Sequence, residues 1–229
     1  MKKSISMNPA GFAAMMAMAA MISFTSCTKE DQVSSFEPVS WTPDSREITL
    51  LPGETAKIYG TVVFSDGRAT ENIEAVNINA ESGDVVWTYG GWKMVGLVPG
   101  TETVTANVRM TGPWNGKKEF YQDVTVKVVN PEKPIIGIEI SPAEVAIKSG
   151  EKVDFKVYAV YEDSKREISP VVCKFDVTDD GFQHISYTFS GMDAYVDGSQ
   201  DTGNTYINVT YTENGVTVNA TSLVKSVVE

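Results

Sequence analysis

Leu50-Leu51-Pro52-Gly53-Glu54-Thr55 leads into a run whose alternate residues are Ala56, Ile58, Gly60, Val62 and Phe64, and Ser65-Asp66-Gly67 closes it. Almost a hundred residues on, Ile147-Lys148-Ser149-Gly150-Glu151-Lys152 leads into Val153, Phe155, Val157, Ala159 and Tyr161, closed by Glu162-Asp163-Ser164. Side chains two apart on a strand share a face, so each run predicts a strand buried on one side. The recurrence of turn, strand and turn marks an internal repeat, and it decides the fold.

The repeat extends outward from that pair. Val85-Val86-Trp87-Thr88-Tyr89-Gly90-Gly91-Trp92 parallels Ile185-Ser186-Tyr187-Thr188-Phe189-Ser190-Gly191-Met192, each read as a strand, a glycine-containing hairpin turn and the start of the next strand. Gly100 to Val108 parallels Gly203 to Tyr211. A last hairpin turns through Pro113-Trp114-Asn115-Gly116 in one copy and Asn214-Gly215 in the other. Asn-Gly suits a tight hairpin because both residues tolerate positive φ. Short alternating runs cut by Gly, Pro, Asn and Asp, with no helical period, predict an all-β protein of two tandem immunoglobulin-like β-sandwich domains. The expected domains are 36–130 and 135–229, with a proline-stiffened linker at 131–134.

The Gly-Glu before the long strand, and Gly100-Thr101-Glu102-Thr103-Val104-Thr105-Ala106 near the end of the first unit, resemble the group 2 bacterial immunoglobulin-like domains. Gly203 to Val209 follows the same pattern with Asn204 in place of Thr. What the resemblance implies is a Greek-key sandwich serving as a spacer, adhesion or recognition module on a bacterial surface, without catalysis.

Ahead of the repeats stand Lys2 and Lys3, an apolar run from Gly11 to Phe24, and then Thr25-Ser26-Cys27. A basic start, a short apolar stretch and small residues before a cysteine describe an export signal over 1–26. The run is shorter than the roughly 20 residues of a membrane span. Phe24-Thr25-Ser26-Cys27 resembles the lipobox of bacterial lipoproteins, and Thr28-Lys29-Glu30-Asp31 resembles the surface-export tag of Bacteroidetes lipoproteins. That implies acylation at Cys27, a flexible tether over 27–35, and attachment to the outer membrane facing outward. A lipid on Cys27 would make the membrane a partner through the anchor.

Composition narrows the function. The 229-residue chain carries a formal charge of −11, and loss of the two signal lysines takes it to −13. So acidic a chain has no basic patch to neutralise phosphates, which argues against nucleic acid as a partner. With Cys27 acylated, Cys173 has no disulfide partner, and its setting in Val171-Val172-Cys173-Lys174-Phe175 reads as a small buried hydrophobe. The one histidine, His184, reads as a strand-edge residue, and zinc would need three or four ligands of a kind the chain lacks.

No cofactor is implied. One candidate metal site, for Ca²⁺, is the alternation of Asp197, Ser199 and Asp201, set against a plain solvated turn. It lacks a Gly at Thr202 and a Glu at Asn208, which the helix-flanked calcium loop would have.

Aromatic residues carry the remaining interest, because sugar rings stack on exposed Trp and Tyr faces. The repeat pairs Trp87 with Tyr187, Tyr89 with Phe189 and Trp92 with Met192, and so expects these in the core. Trp41 is expected there too. Trp114 has no counterpart and lies on a hairpin tip, so it is expected to be exposed. It is the leading candidate contact for a ligand, with Trp92 as the second.

Three readings follow. The first is a non-enzymatic surface lipoprotein for adhesion, spacing or recognition. The second is a glycan-binding protein of a polysaccharide-uptake system, and the third a pilus-associated subunit able to accept a donor strand. A surface protein and a polysaccharide are the partners these readings call for, and an enzyme stands last.

Overall fold

The computed structural model describes residues 36–112, 114, 116–180, 185–190, 193–198 and 202–227, with residues 190 and 193–198 described by their backbone. The signal, Cys27 and the tether lie outside the described residues.

The chain runs through two sets of strands in the same order. The first set is β1 (Pro38–Pro43), β2 (Glu47–Leu50), β3 (Thr55–Ala56), β4 (Tyr59–Phe64), β5 (Ala69–Glu74), β6 (Asn77–Ala80), β7 (Val86–Tyr89), β8 (Lys93–Gly96), β9 (Gly100–Met110) and β10 (Lys118–Val128). They form sheets of order β1-β4-β5, β2-β10-β9-β6 and β3-β8-β7.

The second set is β11 (Gly137–Ser141), β12 (Glu144–Lys148), β13 (Lys152–Asp154), β14 (Lys156–Val160), β15 (Lys165–Ile168), β16 (Lys174–Asp179), β17 (Ile185–Ser190), β18 (Asp193–Gly198), β19 (Gly203–Glu213) and β20 (Val216–Val227). Their sheets are β11-β14-β15, β12-β20-β19-β16 and β13-β18-β17, strand for strand the same. In each unit the short second strand runs parallel to the last one, β2 against β10 and β12 against β20, while the other pairings are antiparallel. These are two immunoglobulin-like sandwiches.

Each unit fills its own core. Trp41, Ile58, Val62, Ile78, Val86, Met94, Val104 and Val126 are among the residues packed together in the first. Ile140, Ile147, Phe155, Val157, Ile168, Ile207 and Val224 are among those in the second. The predicted alternation holds through a break in the long strand. Ile58 lies between β3 and β4, yet it is 2% exposed and shares the core with Val62. Trp41, expected in the core, is 1% exposed.

Gly60 is the residue that seats Trp41. A Cβ there would stand 2.3 Å from the Thr42 carbonyl oxygen and 2.6 Å from Trp41 Nε1. Only a residue without a side chain lets strand and indole approach so closely.

The repeated Gly-Glu has a local cause. The Leu51 N–H donates to Glu54 Oε2 at 2.9 Å, and the Glu54 N–H returns to the Leu51 carbonyl at 3.0 Å. Lys148 and Glu151 repeat the exchange at 2.9 and 3.1 Å. The glutamate closes the turn on itself, and Gly53 and Gly150 supply the positive φ at its corner, 78° and 79°.

The apolar run around Cys173 divides between two kinds of structure. Val171 and Val172 lie in a 3-10 turn, Pro170–Val172, and β16 begins only at Lys174. Proline at the first position of that turn presets its φ and starts it.

Candidate ligand-binding surface

The β7–β8 hairpin decides where the first unit's aromatic side chains point. Val86 pairs with Gly96, Trp87 with Val95, Thr88 with Met94 and Tyr89 with Lys93. Val86 and Met94 are fully buried in the core, so Trp87 and Tyr89, one step out of phase, stand on the outer face of this sheet. Both are partly buried, with ring centroids 5.4 Å apart and planes tilted by 33°.

This corrects the expectation that Trp87 and Tyr89 are core residues matched to Tyr187 and Phe189. In the second unit Ile185 pairs with Gly198 and Ser190 with Asp193, leaving two residues in the turn where the first unit has three. Val86 and Ile185 therefore hold equivalent places, and Trp87 falls opposite Ser186. A one-residue slip carries a whole set of side chains to the other face. Phe189 packs against the second core and stacks on Phe175 at 4.5 Å, while Tyr187, 47% exposed, stacks on Phe189 at 5.5 Å.

Trp92, expected in the core by its pairing with Met192, occupies the extra turn position and is 38% exposed. Two ammonium groups lie over its ring, Lys57 Nζ at 4.6 Å and Lys93 Nζ at 4.7 Å from the centroid. Lys57 is also paired with Glu74 at 2.9 Å. Indole faces attract such cations electrostatically. Trp87, Tyr89, Trp92 and Lys93 thus form one aromatic and cationic surface.

Trp114 is placed otherwise than expected. It is 8% exposed, its ring lies 6.5 Å from that of Phe64, and a Cβ at Gly112 would stand 2.3 Å from it. The indole folds back on the sandwich, because an apolar ring gains more from that contact than from water.

Next to the aromatic surface the two sandwiches meet. The Ser169 N–H donates to the Gly53 carbonyl at 2.8 Å, and Arg166 Nη1 donates to the Pro52 carbonyl at 2.8 Å. A Cβ at Gly53 would stand 2.9 Å from Ile168 Cβ and 3.0 Å from Val172 Cγ2.

Arg166 is itself held from behind. Its Nη2 donates to Glu213 Oε2 at 3.3 Å and to the Tyr161 hydroxyl at 2.9 Å. Glu213, 4% exposed, also accepts the hydroxyls of Tyr211 at 3.0 Å and Tyr161 at 3.1 Å. Burial pushes both tyrosine hydroxyls above their ordinary value, so they remain donors to the carboxylate. Lys133 in the linker reaches Asp163 at 2.6 Å.

On one side of this joint a notch of about 380 Å³ opens, lined by Thr55, Lys93, Arg166, Glu167 and Ser169 among others. Lys93 therefore belongs both to the notch and to the aromatic surface.

The proposed calcium ligands Ser199 and Asp201 lie outside the described residues, as does His184, and Asp197 is described by its backbone in β18. The neighbouring Asp179 and Asp180 accept hydrogen bonds from Thr205 Oγ1 and, at 3.0 Å, from the Asn204 N–H. Among the described residues no three His, Cys, Asp or Glu side chains come together as metal ligands. Cys173 packs against the second core, and burial pushes its thiol up to about 12.

One residue that sequence reasoning passed over is Glu102. It is 6% exposed, yet its carboxylate accepts the N–H groups of Ser82 and Gly83 at 2.6 Å, of Val86 at 2.8 Å and of Val85 at 3.1 Å. Burial pushes this carboxyl up, but the N–H donors of Gly83, Val86 and Ser82 outweigh it and hold the group below its ordinary 4.5. The signal was an acid at the variable position of the Gly-Thr-x-Thr segment, on the face that turns inward.

No protein-family model matches the chain, and no curated protein matches it. Solved structures do overlap it. Domains 5-6 of the S-layer protein SbsC are 18% identical over 84% of this chain and 99% of that one, with a TM-score of 0.30. The titin Ig tandem A164-A165 is 11% identical over 83% and 98%, at 0.28. Titin z1z2 in complex with telethonin is 13% identical over 84% and 98%, at 0.26. Overlaps at these scores carry no argument; the sandwich assignment stands on the strand pairing and the two cores.

Proposed function

We propose that this chain is a non-catalytic cell-surface lipoprotein, acylated at Cys27, whose two sandwiches form an adhesion, spacing or recognition module. The observation that carries this reading is the joint. A main-chain hydrogen bond and an arginine held by a buried carboxylate connect the two units, so a surface offered by one keeps its bearing to the other. Modules that only need length are served by a plain linker; a joint of this kind suits recognition across both units. The test is labelling with palmitate in the bacterium, followed by protease treatment of whole cells. Label lost in Cys27→Ser, with wild-type protein cleaved on intact cells, is expected. An unlabelled wild type, or one protected until the cells are broken, overturns the reading.

A second reading within it, glycan recognition, is favoured by one observation. Trp87 and Tyr89 stand side by side on an outer sheet face, where an aromatic pair adds nothing to the core.

A further inference from the structure

We infer that the outer face of the β3-β8-β7 sheet and the adjoining notch form one site for a carboxylate-bearing polysaccharide. The inference rests on the glycan reading above and names its ligand class and contacts.

The aromatic half of the site has the form a sugar requires. A pyranose ring offers an apolar C–H face, and Trp87 and Tyr89 offer two rings 5.4 Å apart at a mutual tilt of 33°. That separation is of the order of one sugar unit, so adjacent units of a chain can each find a ring. Val95, fully buried, lies beneath this strip, paired to Trp87 on one side and Thr55 on the other. The strip therefore leads across β8 into the notch.

The notch supplies the charge. Lys93, paired in register with Tyr89, has no carboxylate partner among the described residues. Its acidic neighbours are already engaged. Glu54 accepts the Leu51 N–H at 2.9 Å, and Glu167 is bonded to Lys156 at 3.0 Å.

Two polar atoms of notch-lining residues, Arg166 Nε and Ser169 Oγ, are buried without a hydrogen-bond partner. Buried polar groups of this kind are costly to leave unmade. With Arg166 already paired to Glu213, the charge that the notch offers a carboxylate is the Lys93 ammonium. On a chain with a formal charge of −11, an ammonium held over an indole and bonded to no carboxylate among the described residues is a contact for an anion.

An acidic peptide is the rival ligand. β8 is the inner strand of its sheet, with main-chain groups taken up by β3 and β7. A ligand over Lys93 therefore meets side chains; the open edge of the sheet lies on β7, beneath the aromatic pair, so polyglutamate is the control for a peptide.

The experiment is native electrophoresis of the full-length chain through gels containing sodium polygalacturonate, alginate, dextran or hydroxyethyl cellulose. The variants are Trp87→Ala and Lys93→Gln, each checked by thermal melting. The expected result is retardation by an acidic polysaccharide and not by the neutral ones. It should be lost in Trp87→Ala and weakened about tenfold in Lys93→Gln, as for loss of one charge-assisted hydrogen bond. Lys93 is exposed enough that its variant serves if Trp87→Ala fails to fold.

Retardation by neutral polysaccharide that Lys93→Gln leaves unchanged overturns the carboxylate. Binding displaced by polyglutamate and not by oligogalacturonate overturns the sugar. Retardation by none of the four overturns the site. Surface attachment through Cys27 is read by palmitate labelling and stands or falls separately.

Discussion

The main-chain N–H of Ser169 and the main-chain carbonyl of Gly53 are hydrogen-bonded at 2.8 Å, and they belong to different sandwiches. Such a bond uses no side-chain atom of either residue. It is kept by the backbone path on either side: a left-handed glycine in the first unit and the residue leading into a 3-10 turn in the second. Arg166, bonded to Pro52 in front and to Glu213 behind, fixes the same contact from one side.

Gly53→Ala and Gly150→Ala make a matched pair. Both residues have φ near +79°, where an L side chain costs about 1–2 kcal/mol. At Gly150 a Cβ meets nothing within 4 Å, so the cost ends there. At Gly53 the Cβ enters contact at 2.9 Å with Ile168, adding about 1–3 kcal/mol and parting the units. Urea unfolding should separate the two variants by that amount, and limited proteolysis should cut the linker at 131–134 faster in Gly53→Ala alone. Equal behaviour would mean that the joint does not depend on this contact.

Glu102 makes the first unit acid-sensitive. Its carboxyl sits below the ordinary 4.5 when folded, so its contribution is complete above that pH and is lost as pH falls through the folded value. Glu102→Gln should cost about 2–4 kcal/mol near neutral pH, because the four N–H groups of the 82–86 loop lose their anion. The same variant should flatten the decline of stability below pH 4.5. Urea midpoints against pH would show it, and an unchanged acid limb would assign the decline to other carboxylates.

Cys173 should be inert. With its thiol pushed up to about 12 by burial, almost no thiolate forms near neutral pH. In a Cys27→Ser background, reaction with Ellman's reagent should be slow in the folded chain and immediate in denaturant. Rapid reaction of the folded chain would show that the second core opens at β16.

Trp114→Ala should weaken the fold and spare binding. Removal of an indole 8% exposed and packed against Phe64 should cost about 3–5 kcal/mol in urea unfolding. Retardation in polysaccharide gels should match wild type. Loss of retardation with unchanged stability would restore Trp114 as a contact.

The fold was legible because alternation at period two survives the break between β3 and β4, and because ten strands recur in one order. The aromatic surface was hidden by a single residue. Three residues separate Tyr89 from its partner Lys93 where two separate Ser190 from Asp193, so Trp87 shares its register with Ser186 and not with Tyr187. Trp114 misled because nothing near it in sequence says that Phe64, fifty residues earlier, is the wall it rests on.

The joint left one trace. Leu51-Pro52 in the first turn stands where the second has Lys148-Ser149. An apolar pair replacing a polar one in an otherwise repeated turn marks a covered surface.

That same turn gives the chain a polarity. The face that the first unit offers to its neighbour is the Leu51–Glu54 turn, and the face that receives it is built from β15 and the 3-10 turn of the second. Donor and acceptor are different surfaces, so the contact has a head and a tail and no two-fold axis to close it. The second unit owns a donor turn as well, Lys148–Glu151, with its own left-handed glycine and open space where a Cβ would project. The two sandwiches are thus unequal partners: the engaged turn carries the apolar Leu51-Pro52, and the receiving face carries the 3-10 turn that, among the described residues, has no counterpart in the first unit.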